Sequence, residues 1–186
     1  VVILVRHTVS PVGLLLIFAA LGALAGLGLA RSVQMVRIPA MVALQNGMGG
    51  MASFLVSYVE LTRSAGAALP RAGEVAAVAG ILFGAGTFSG SLVAAGKLAN
   101  RLRQTPVRLA GHNLILGGLA IGAMLAMALG VATRDVAVTN VLAAALIALS
   151  VGLGIVFSIR IGGADMPVLI SFLNAGSGLA AALCGL

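Results

Sequence analysis

The chain has 186 residues, 61% of them hydrophobic and 8% charged, with a formal net charge of +7 and a mean hydropathy of +1.19. Soluble domains carry about 25% charged residues, so this chain has too little polar surface to cover a water-soluble globule. The positive charge sits in short segments between apolar runs without aromatic-basic clusters or any Trp, which excludes a nucleic-acid surface and reads as membrane orientation. The single cysteine, Cys184, excludes an intrachain disulfide, and no Cys/His cluster points to a metal.

The opening "VVILVRH" has the wrong order of regions for a signal peptide and reads as the tail of an earlier apolar segment. With the final apolar run reaching Leu186, it predicts a fragment of a larger membrane protein. Six charge-free stretches of 21 to 24 residues follow in order: Thr8–Ala30, Ile38–Val59, Val75–Gly96, Asn113–Thr133, Val136–Ile159 and Met166–Leu186. About 20 helical residues cross a hydrocarbon core, so the fold class expected is all-α, a polytopic bundle of six transmembrane helices. Barrel strands would be about half as long and would alternate polar with apolar.

The loops set the orientation. One face receives Arg31, Arg37, Lys97, Arg101, Arg103, Arg108 and Arg160. The other receives Arg6, Arg63, Arg71 and Arg134, with Glu60, Glu74 and Asp135. Seven basic residues against four place the first face, with the Lys97–Arg108 loop, in the cytoplasm. Glycines within the stretches, as in "GMGGM" (47–51) and "GAGTFSG" (84–90), predict close helix packing. The second of these lacks the spacing and the preceding strand of a dinucleotide loop.

Polar residues within the stretches carry the functional signal. At a rise of ~1.5 Å per residue, Asn46 and Asn174 lie about 12 Å past the cytoplasmic ends of the second and sixth stretches. Thr87 lies about 18 Å past the opposite end of the third, at a similar depth. Gln45, Ser89, Ser150, Ser171 and Ser177 fall within a turn or two of that level. This predicts a polar interior lined by the second, third and sixth helices, with the fifth as a possible addition and the first and fourth as scaffold. Helix-to-helix adhesion is the competing role for these side chains.

Asp165 precedes Met-Pro and suits a helix N-cap with Pro167 in the first turn. An acid at that place could also concentrate or relay protons. His7 and His112 lie in or beside loops on opposite faces and are expected to be solvated. Lys97 is counted with the loops, which leaves Cys184 as the ionisable group inside the stretches.

The run "IGGADMPVLISFLNAGSGLAAA", supported by "ARSVQMVRIPAMVALQNGMGG" and "GAGTFSGSLVAAGKL", closely resembles the membrane domain of the β subunit of proton-translocating NAD(P) transhydrogenase. The resemblance covers essentially the whole chain, 1–186. It implies a transmembrane proton-translocation domain of an inner-membrane enzyme, coupling proton flow to hydride transfer from NADH to NADP⁺. NAD(H) and NADP(H) would be bound in separate soluble domains, with no cofactor held by this segment. It further implies that Asn174 lines the proton channel and that Asp165 lies at its cytoplasmic mouth. The implied partners are the α subunit with its membrane helices, the soluble nucleotide-binding domains, and a second αβ unit. Some family members carry a histidine where this chain has Asn46, so the protonatable group is expected from a partner's helix. A small-solute or ion secondary transporter is the alternative, weakened by the lack of a visible inverted repeat.

Overall fold

The computed structural model describes residues 12–63, 71–133 and 135–185. Among the described residues six long helices form: α1 (Val12–Ser32), α2 (Ile38–Arg63), α3 (Arg71–Leu98), α4 (His112–Ala132), α5 (Val136–Ile159) and α6 (Met166–Leu183). The sequence-derived bounds fit α5 at both ends and α4 within a residue. Helices α2 and α3 run past theirs, because a helix continues through charged residues once it leaves hydrocarbon. Charge exclusion marks the apolar core, not the last hydrogen bond. His7, Arg134, Leu186 and the start of the first stretch lie outside the described residues.

Among the described residues five helical segments are long and apolar enough to cross a membrane: Val12–Ser32, Arg71–Leu98, His112–Ala132, Val136–Ile159 and Gly163–Leu183. Helix α2 has the length, at 26 residues, but Gln45 and Asn46 beside a cluster of glycines dilute its hydropathy. A spanning role for α2 rests on its packing among apolar neighbours.

The chain divides into two compact units, Val1–Ile38 and Pro39–Leu186. In the first, α1 is a 21-residue apolar helix with Arg31 in its last turn. In the second, α3 is the central helix, in contact with α4, α5 and α6, and with α2 through the tilted ring pair Phe54–Phe88. Helix α3 therefore buries residues all round, from Ala76 to Lys97.

Close helix packing requires glycine. A Cβ on Gly50 would come within 2.8 Å of Gly84 O, and one on Gly84 within 2.8 Å of Gly50 O. The α2 and α3 backbones thus touch, which only residues without side chains permit. Gly154 of α5 likewise packs directly on Gly86 O of α3. Larger side chains fill the space on either side. Ile81 and Leu146, with Ala77, Val78 and Ala143, form one apolar core. Leu169, Leu173 and Met166 of α6, with Ala43 of α2 and Ala94 of α3, form another.

Candidate functional site

A cleft of about 860 Å³ opens between the start of α2, the end of α3 and the start of α6. Its walls include Gln45, Asn46, Lys97, Gln104, Ser171 and Asn174. Pro39 and Met166 also line it. Asn46 lies seven residues past Pro39, and Asn174 eight past Met166, so each is about 10–12 Å deeper along its helix.

At this inner end three helices meet through polar side chains. Asn46 Nδ2 donates to Ser91 Oγ of α3 at 3.0 Å. Ser177 Oγ of α6 donates to Asn46 Oδ1 at 2.6 Å. The Ser177 hydroxyl has one proton and a second acceptor in reach, Asn174 O at 2.9 Å, so it can swing between the two helices. Asn46 is the hub because a carboxamide offers both a donor and an acceptor. In a membrane interior, satisfying both is what makes such a residue tolerable. None of these groups stores a proton near neutral pH; they orient water and pass hydrogen bonds along.

Asn46, Ser171 and Asn174 share the cleft, and Ser177 joins them by hydrogen bonding. Thr87 stands apart. It is 5% exposed and lines a separate apolar pocket with Phe83, Phe172 and Leu179. Its Cβ packs on Gly50, and its hydroxyl faces Gly176. The α3 residue at the level of Asn46 is Ser91, one helical turn on from Thr87. Counting rise from the ends of charge-free stretches gave the right face of α3 but misplaced the level, because those ends do not share a plane; the register is set where Gly50 seats on Gly84 and Gly47 on Ser91.

Asp165 occupies the N-cap position of α6 with Pro167 in the first turn, but its carboxylate makes no capping bond. The short 3-10 turn Gly163–Asp165 runs straight into α6, and Asp165 already has φ −85°, ψ 0°. Side-chain capping needs the extended backbone usual for an N-cap. Asp135 has it, at φ −78°, ψ 124°, and accepts from Val138 N. Asp165 is exposed, beside the cleft residues Ala164 and Met166. The expected side-chain cap is thereby corrected.

Other polar residues serve packing. Ser89 Oγ bonds to Gly86 O and, across to α5, Val151 O, so the fifth helix meets α3 by adhesion and lines none of the cleft. His112 is 7% exposed, with Nδ1 accepting from Leu109 N; the expected solvated histidine is buried at the start of α4. Cys184 Sγ lies 3.2 Å from Ser57 Oγ and donates to Ser53 O at 3.2 Å, tying the end of α6 to α2.

Sequence reasoning missed Lys97. Placed among the loop cations, it lies in the last turn of α3, 2% exposed and in the wall of the cleft. The signal available was its position directly after the charge-free stretch, close enough for α3 to continue through it.

A model of the NAD(P) transhydrogenase beta subunit family matches residues 1–186. The chain belongs to that family. Two relatives from Rhodospirillum rubrum, one from a named strain, are both called NAD(P) transhydrogenase subunit beta. Each is 33% identical over 188 residues, covering 98% of this chain and 40% of the relative. The chain thus spans 40% of the length of these relatives. Family membership and the five apolar helices together make it an integral membrane protein.

Proposed function

We propose that this chain is the proton-conducting membrane domain of an NAD(P) transhydrogenase, coupling proton movement to hydride transfer from NADH to NADP⁺ in separate soluble domains. The observation that carries the reading is Asn46, bonded to Ser91 and Ser177 at the inner end of the 860 Å³ cleft. Water in the cleft reaches Asn174, Ser171 and Asn46, and the mobile Ser177 proton links α6 to α2. Asp165, exposed beside the mouth, draws protons toward it, and the Lys97–Arg108 side faces the cytoplasm of a bacterial inner membrane. Thr87 lies one turn further on, in the separate apolar pocket.

Gln45, Ser171 and Asn174 are exposed although they lie within helices of membrane-spanning length. Lipid does not satisfy amides, so polar faces at such depth are covered by protein or line water. A helix of the α subunit covers this side and supplies the protonatable group, a histidine, that Asn46 is not. The working assembly is a pair of αβ units, with NAD(H) and NADP(H) held by the soluble domains.

The test is Asn174→Ala in the complete complex, with proton pumping and hydride transfer measured together. Loss of coupled activity with assembly intact supports the reading. Normal coupling returns Asn174 to helix packing and sinks the proposed route.

A further inference from the structure

Lys97 places a cation in the cleft wall without a carboxylate partner among the hydrogen bonds of the described residues. Its Nζ donates to Ser158 O at 3.2 Å, Ile159 O at 2.7 Å and Ile161 O at 2.6 Å. Three N–H groups meet three carbonyls, which is the arrangement of an ammonium. A neutral amine would have two N–H groups and would turn its lone pair against a carbonyl oxygen. The carbonyls belong to the end of α5 and the turn after it, where the helix dipole favours a cation.

One of these carbonyls also helps anchor the mouth of the cleft. Ile159 O also accepts from Val107 N at 2.9 Å, and Gly163 N donates to Gln104 O at 3.2 Å. The segment from Ile159 to Gly163 leads directly into α6. Lys97 therefore holds the α5 end, the α3–α4 loop and the α6 entry around one fixed charge. Along α3 that charge lies six residues from Ser91, about 9 Å toward the mouth.

We infer that Lys97 is a positioning residue that acts as a fixed-charge barrier, limiting passage of protons and other cations through the cleft when the complex is not turning over. A positive charge beside a narrow path excludes cations without blocking it sterically. The inference rests on the proposed proton-conducting role. In that setting it separates a path that water can fill from one that leaks.

The test uses the complete complex in proteoliposomes, reading passive proton leak after an acid pulse without nucleotides, and coupled pumping in parallel. Lys97→Gln removes the charge and keeps two N–H donors; leak should rise on the order of tenfold. Lys97→Arg keeps the charge and should stay within about twofold of the parent. Gln45→Glu, on the α2 wall of the cleft, offsets the charge without touching the carbonyl contacts and should also raise leak; it decides the matter if Lys97→Gln does not assemble. Parent-like leak in the assembled uncharged or offset variants overturns the inference, as does equal leak in the Arg and Gln variants. If the parent complex itself moves no protons with hydride transfer, the proposed function fails instead.

Discussion

Ser177 Oγ donates to Asn46 Oδ1 across 2.6 Å, joining two helices whose residues are 131 positions apart in the chain. With the Asn46–Ser91 bond, this makes one carboxamide the meeting point of α2, α3 and α6. Asn46→Ala removes both bonds and leaves two hydroxyls to find new partners. Hydrogen bonds between membrane helices contribute about 0.6 kcal/mol each on average, so the expected destabilisation is about 1 kcal/mol. Coupled proton movement should fall far more than that modest loss suggests, by tenfold or more on the scale of about 1.4 kcal/mol per decade. Denaturation in detergent and pumping in vesicles, measured on the same variant, separate the two effects.

Neighbouring glycines on α2 should respond in opposite ways. A Cβ on Gly50 meets Gly84 O at 2.8 Å, whereas one on Gly49 meets nothing within 4 Å. Gly50→Val should force α2 away from α3 and cost about 1–3 kcal/mol or more. Gly49→Ala should leave stability unchanged or raise it by up to about 1 kcal/mol, since alanine is the better helix former. Thermal melts of the two variants provide the comparison; equal losses would mean that the α2–α3 contact is not limiting.

The two helix-cap aspartates should also part company. Asp135→Ala removes the bond from Val138 N and should cost about 1 kcal/mol. Asp165→Ala removes no capping bond and should change stability by less than about 0.5 kcal/mol. Under the proposed function, Asp165→Asn should nevertheless slow proton uptake from the cytoplasmic side. Unfolding curves test the first contrast, and uptake rates across a pH series test the second.

Cys184 should behave as a structural thiol. Its sulfur is held between Ser57 Oγ and Ser53 O. Cys184→Ser preserves donor and acceptor and should be tolerated; Cys184→Leu should loosen the end of α6 by about 1–2 kcal/mol through overpacking and the lost partner of Ser57. Melting temperatures of the pair, with maleimide labelling of the parent before and after unfolding, check this directly. Rapid labelling of the folded parent would contradict the contacts described.

The sequence by itself determined the helices, because excluding charge from 21 to 24 residues at a time leaves few other structures that satisfy the backbone in lipid. It also singled out Asn46, Asn174, Ser171 and Ser177, since amides and hydroxyls inside apolar runs are costly enough to stand out. Tertiary structure decided which of these meet. The partner of Asn46 on α3 is Ser91 instead of Thr87, a difference of one turn set by how Gly50 seats on Gly84 and Gly47 on Ser91. Asp165 lost its cap to the backbone angles of the preceding turn, and Lys97 moved from loop to cleft because three carbonyls of α5 and its following turn converge on it. Hydropathy reads along one strand of sequence, whereas an ammonium held by a different helix exists only once the helices have packed.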